Sequence, residues 1–170
     1  MIKTFNSILV TLFGLGKIKF MPGTFGSLAT TAFLFYLFHS LNISSNIILI
    51  SLIIIFIYSF YAVSTHTESS KNKDPGEIII DEFLGQSIPI YLYEISHGTV
   101  KESDEAILYY ALFFILFRYF DIMKPFPINY FDKNFKNSFG VIMDDVIAGF
   151  YVTLTLIIFI VIKSKLFSWI

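Results

Sequence analysis

The chain has 170 residues, 55% of them hydrophobic and 15% charged, with a net charge of −1 and no cysteine. Soluble domains carry about 25% charged residues, so this composition points to a membrane protein, at a length that suits a single domain over residues 1–170. The lack of a basic field excludes nucleic acid as a partner, and the lack of cysteine excludes disulfides, thiolate metal sites and cysteine nucleophiles.

No signal-peptide cleavage site stands out at the N-terminus. The first polar segment is GLGKIKFMPGTFGS, residues 14–27, with Lys17, Thr24 and Ser27 as its reactive side chains. It reads either as a loop and cap ahead of a helix, or as a place where backbone N–H groups and a hydroxyl hold a phosphate. Its lysine does not have P-loop spacing. Two apolar spans follow, at 27–41 and 46–63, joined by NISSN, which suits a helix–helix turn. A crossing helix needs about 20 apolar residues, so the second span fits and the first is slightly short.

A turn-rich link at 64–77 leads to IIIDEFLGQSIPIYLY at 78–93. Its start is Ile-rich like a strand, but lipid does not tolerate an open sheet edge, so a helix kinked or re-entrant at Pro89 is expected. A polar link at 94–105 precedes an apolar segment at 106–120, stopped by Pro125. Residues 121–143 read as a polar loop, and 146–162 as the last span. The expected fold is all-α: a compact integral membrane bundle of about four to five segments. With the N-terminus inside, five crossings put Lys3, Lys17, Lys19, Lys71, Lys73, Arg118, Lys124, Lys133 and Lys136 on one side. Only Lys101, Lys163 and Lys165 fall on the other, which makes the first side cytoplasmic by the positive-inside rule.

That side also collects the polar clusters. In KDPGEIIIDEFLGQ (73–86), Glu77 and Asp81 share a helix face and Glu82 adds a third acid. Acids suit a helix start, which accounts for Glu77 better than for Asp81 and Glu82, since apolar residues follow them. In FRYFDIMKPFPI (117–128), Arg118, Asp121 and Lys124 recur every three residues along one stripe. Snorkelling at a membrane boundary would explain a lone cation there, though not a mixed stripe. In VIMDDVIAGF (141–150), one aspartate could cap the last helix, but two adjacent ones repel. Taken with Asp81, Glu82 and Asp121, the pair Asp144–Asp145 suggests an oxygen-rich site for a hard divalent cation, with Mg²⁺ the natural choice. Arg118 and Lys124 would then meet phosphate oxygens. The histidines His39, His66 and His97 do not cluster, which disfavours zinc, and no serine triad is evident.

These segments resemble the phosphatidylglycerophosphatase A family. The likeness runs from about residue 14 to 150: G-x-G-K and P-G-T-x-G-S, then D-P-G-E-x-x-x-D-E-x-x-G-Q, then F-R-x-F-D-I-x-K-P-x-P-I, then Asp132, and finally G-x-x-x-D-D-x-x-A-G. NSFG at 137–140 departs from a more glycine-rich family pattern. The resemblance implies a compact helical bundle in the bacterial inner membrane. It implies a Mg²⁺-dependent enzyme that removes the terminal phosphate of phosphatidylglycerophosphate, with its site facing the cytoplasm. For the mechanism, Asp81, Asp144 and Asp145 are expected to ligate the metal, with Glu82 and Asp121 either as further ligands or in contact with the ligands, and Glu82 as proton acceptor. Arg118, Lys124 and Lys17 are expected to neutralise the phosphoryl group, and Thr24 and Ser27 to orient it. The rival readings are a phosphatase for another lipid phosphate, such as phosphatidate, and a non-enzymatic transport or structural membrane protein.

Overall fold

The computed structural model describes residues 2–68, 75–97 and 103–167, and among them there is no strand. Lys71, Lys73, Asp74 and Lys101, which the sequence reading uses, lie outside the described residues. The elements are α1 (Ile2–Val10), a 3₁₀ turn at Leu15–Lys17, α2 (Pro22–Phe35) continuing as a π-helical turn to Ser40, α3 (Ser45–Thr67), α4 (Ile80–His97), α5 (Ser103–Met123), α6 (Ile128–Asn134) and α7 (Ser138–Phe167).

Three of these helices are long and apolar enough to cross a membrane: Ser45–Thr67, Glu105–Met123 and Ser138–Ile162. Ile47, Ile50, Ile54 and Ile57 on α3 are exposed, as are Leu154, Ile157, Ile158 and Phe159 on α7. An apolar surface of that extent is unfavourable in water and neutral in lipid.

The segment at 78–93 is a helix, as expected, but its role is that of a hub. α4 packs against α2, α3, α5 and α7. It buries Phe83, Leu84, Gln86, Ser87 and Ile90. Ser87 Oγ donates to the Phe83 carbonyl at 2.6 Å, which satisfies a hydroxyl that water cannot reach. The helix runs through Pro89, which has no N–H to give the Gly85 carbonyl. Gly149 of α7 comes up against that same carbonyl, and Gly85 comes up against the backbone of Asp145. Small residues at the crossing let the two backbones approach closely. α2 handles its own buried polarity in the same manner as Ser87. Ser27, Thr30 and Thr31 donate to the carbonyls of Gly23, Gly26 and Ser27 at 2.8–2.9 Å.

The region 121–143 is not the plain loop that its polarity suggests. It holds α6 and the first turns of α7. Phe131, Phe135 and Phe139 pack on one another across the α6–α7 junction, Phe131 stacked on Phe135 and Phe139 edge-on to Phe135. Asn137 Oδ1 accepts the Gly140 N–H at 3.1 Å and caps α7. Asp144 and Asp145 therefore sit well inside the helix, and neither serves as its cap.

α2, α4 and α7 start, and α5 ends, at one end of the bundle, and that end carries the polar clusters. At the opposite end Glu94 accepts from Tyr110 at 3.1 Å and lies 3.2 Å from His39 Nε2. His66 pairs instead with Glu77 at 2.9 Å, so His39 and His66 stay apart.

Candidate active site

The first turn of α4 supplies Asp81 and Glu82, and the second turn of α7 supplies Asp145. One oxygen from each of the three lies within 4.8 Å of the others. Asp81 and Asp145 are 8% and 3% exposed. The Gly85–Gly149 crossing brings these carboxylates together, because a wider separation of α4 and α7 would part them. Like charges held this close in a buried place need a proton or a counter-ion, and a bound metal ion would supply the latter.

Arg118 and Asp121 come from the last turns of α5. Arg118 Nη1 is 2.6 Å from Asp121 Oδ2 and 3.9 Å from Glu82 Oε1, and reaches Ser27 Oγ at 3.4 Å. A Cβ on Gly23 would fall on the Glu82 carboxylate and within 3.2 Å of Arg118 Nη1, so any side chain there would push these groups from their places.

Lys124 ends α5 with φ +42, in the left-handed region that non-glycine residues seldom adopt. From there its ammonium bridges Asp144 Oδ2 at 2.8 Å and Asp132 Oδ1 at 2.9 Å. Burial alone would push the Lys124 ammonium down, but the Asp144 and Asp132 carboxylates outweigh it and hold it above the ordinary lysine range. Burial likewise would raise Asp132, but Lys124 holds it below the usual carboxylate range. Asp144 Oδ1 also accepts the backbone N–H of Asp145 at 3.1 Å.

All of these groups except Ser27 and Asp132 line one cavity of about 390 Å³, with Met21, Thr24, Ile78, Ile122 and Val141 among its other walls. Five carboxylates face two cations across it: Asp81, Glu82, Asp121, Asp144 and Asp145 against Arg118 and Lys124. Thr24 Oγ1, Glu82 Oε2 and Arg118 Nε are buried there without a hydrogen-bond partner. The donor set is all oxygen on the acidic side, which suits a hard divalent cation, and the unpartnered Arg118 and Thr24 atoms suit an anion.

The sequence-derived site thus divides into parts. Asp81, Glu82 and Asp145 form the metal-sized group. Asp121 is held by Arg118 and Asp144 by Lys124. Thr24 faces the cavity, whereas Ser27 is fully buried behind it and supports Arg118. Lys17 is exposed and does not line the cavity. Asp132 has a partner in Lys124 that sequence reasoning did not assign. Its one signal is its position eight residues after Lys124, across the two prolines.

Fold and cavity together define a helical membrane protein with a buried acidic centre able to hold a metal ion beside two cations. A profile of the phosphatidylglycerophosphatase A family matches residues 8–160, and the chain belongs to that family. Membership places it among the phosphoric monoester hydrolases. A protein of Haemophilus influenzae named phosphatidylglycerophosphatase A is 38% identical over 144 residues, covering 85% of this chain and 82% of the relative. A protein of Bacteroides thetaiotaomicron provisionally named phosphatidylinositol-3-phosphatase is 33% identical over 150 residues, covering 87% and 89%. Phosphatidylglycerophosphatase A of Escherichia coli is 29% identical over 143 residues, covering 84% and 76%. No solved structure matches the chain significantly.

Proposed function

We propose that this protein, as a single domain, hydrolyses the terminal phosphomonoester of phosphatidylglycerophosphate to phosphatidylglycerol and phosphate in the bacterial inner membrane. The observation that carries the reading is the meeting of Asp81, Glu82 and Asp145 within 4.8 Å, beside Arg118 and Lys124 in a single cavity. A doubly charged phosphate cannot enter a cavity with that acidic excess unless a cation offsets it. Asp81, Glu82 and Asp145 would hold Mg²⁺, which when bound polarises the phosphoryl group and lowers the pKa of a water.

The chain's own residues do the rest. Arg118 has its Nη1 on Asp121 and its Nε free to meet a phosphoryl oxygen, with the Thr24 hydroxyl at the start of α2 orienting another. Lys124, fixed by Asp132 and Asp144, offsets charge on the same group. Glu82 Oε2, unpartnered, accepts the proton as the water oxygen bonds to phosphorus. The ester P–O bond then breaks, and the glycerol oxygen takes a proton from solvent water while Glu82 returns the one it accepted to solvent. Asp144 holds Lys124 rather than completing the metal-sized trio, so its role is orientation. Replacing Arg118 with Lys keeps the charge but loses the fork that spans Asp121, Ser27 and the cavity. Turnover is expected to fall about a hundredfold, read as phosphate release per folded enzyme.

The topology we favour has five antiparallel passes: α2 with its π turn, α3, α4, α5 and α7. The site end faces the cytoplasm. Its support is the positive-inside count of the sequence together with the gathering of the helix ends that carry Lys124, Arg118 and the acids.

The test is phosphate release by the purified protein in detergent from phosphatidylglycerophosphate, phosphatidate and phosphatidylinositol 3-phosphate, with Mg²⁺ and with EDTA. Release from the first lipid alone, abolished by EDTA and restored by Mg²⁺, is the expected result. Preference for the inositol lipid would support the second reading, which the Bacteroides relative motivates. Release from none, by folded protein, would return the transport and structural readings.

A further inference from the structure

The cavity described above is polar, yet two of its walls are large apolar side chains that also face outward. Met21, immediately before α2, is 47% exposed, and Ile122, in the last turn of α5, is 63% exposed. They belong to elements that pack on each other, since α2 and α5 are in contact and Gly23 and Arg118 nearly touch. The apolar surface continues away from both. Tyr119 lies three residues before Ile122 on the same face of α5, and Phe25 lies in the first turn of α2, just past Met21; both are exposed. Exposed Phe20 and Phe126 flank the segments that precede α2 and follow α5. Met21 holds a left-handed backbone at φ +49 with no side-chain cap bond. Backbone strain of that kind persists where the surroundings enforce it, commonly at ligand clamps.

We propose that the cavity opens sideways to the bilayer between the start of α2 and the end of α5, and that the acyl-bearing glycerol of the substrate lies across Met21 and Ile122. This rests on the reading of the substrate as a lipid phosphate. The phosphate reaches Arg118 and Lys124 while the chains follow Phe25 and Tyr119 outward, so the lipid is hydrolysed without leaving the membrane. A competing apolar surface beside the acids is the groove among α3, α4 and α7 that includes Leu52, Ile53, Leu84 and Val146. That groove shares no lining residue with the acidic cavity, whereas Met21 and Ile122 belong to the cavity itself.

The test compares Met21→Trp and Ile122→Trp with Leu52→Trp and Ile53→Trp, using long-chain phosphatidylglycerophosphate in mixed micelles. Filling the portal is expected to raise KM about tenfold or more with kcat little changed, and filling the groove to leave KM within about twofold. A second measurement does not depend on tolerance of tryptophan. A photoreactive residue is placed at Ile122 or at Ile53 and irradiated with a radiolabelled long-chain phosphonate analogue of the lipid. Labelling at 122 that excess unlabelled analogue abolishes is expected. Unchanged KM in the portal variants, a raised KM in the groove variants, or competable labelling only at 53 would each overturn the proposal. Failure of the wild-type protein to release phosphate from any lipid would instead sink the functional reading, and is seen before a variant is made.

Discussion

Asp145→Asn is expected to abolish phosphate release, by at least a few hundredfold, and at the same time to make the metal-free protein harder to unfold. The two effects share one cause. Asp145 is 3% exposed, and its carboxylate is within 4.8 Å of ligand oxygens on both Asp81 and Glu82. Without a metal these like charges repel in a place that water screens poorly. The amide keeps the shape and removes one charge, so the apo bundle gains stability. With a metal the balance inverts. If the site takes Mg²⁺ as proposed, wild-type protein should be stabilised by mass action when the ion is added, and the variant, short of a charged ligand, should not. A transition state that gathers negative charge then lacks its main offset; losing a single preorganised electrostatic partner already costs about 10²–10³ in rate. Phosphate release and thermal unfolding in detergent, each with EDTA and with Mg²⁺, make the check. A variant that turned over normally and still showed a Mg²⁺-dependent rise in Tm would remove Asp145 from the metal site.

Gly85→Ala is the second large effect, and it acts on the fold. The added Cβ would fall on the Asp145 carbonyl oxygen, and would lie 2.7 Å from Phe117 Cε2 and 2.8 Å from the Asp145 carbonyl carbon. Backbone cannot rotate out of the way as a flexible side chain can, so α4 and α7 must move apart. Overpacking of this kind costs about 1–3 kcal/mol, and the rigid contact puts Gly85→Ala at the upper end. Moving α4 from α7 also separates Asp81 and Glu82 from Asp145, so Mg²⁺ should lose its stabilising effect in this variant too. Gly76→Ala provides the contrast, since a Cβ there meets nothing within 4 Å, and its stability should stay within about 0.5 kcal/mol of wild type. Unfolding of the purified proteins in denaturing detergent reads both. Equal stability of the Gly85 and Gly76 variants would show that the crossing is looser than described.

The sequence by itself determined the helical membrane character and the chemistry of the site. Continuous Ile, Leu and Phe leave lipid as the only comfortable solvent, and lipid forces backbone groups into helices. Carboxylates and cations at the segment ends are costly wherever they sit, so their presence alone announces a site. Thus Asp81, Glu82, Asp145, Arg118 and Lys124 were legible as candidates from local sequence. Only the tertiary structure decided how they are grouped. Asp144 reads as a metal ligand beside Asp81 and Asp145, and Asp121 as a further one, yet in the structure Asp121 pairs with Arg118 and Asp144 with Lys124, whose position follows from the left-handed turn where α5 ends. The start of α7 at Ser138 was hidden because its first turns pack through phenylalanines against α6, a contact between elements that no periodicity within one element records. α4 reads from sequence as one membrane segment among several, because apolar content is the same whether a helix faces lipid or protein. Its place as the hub comes from Gly85 and Gly149, two residues without side chains, whose meaning exists only where two backbones cross.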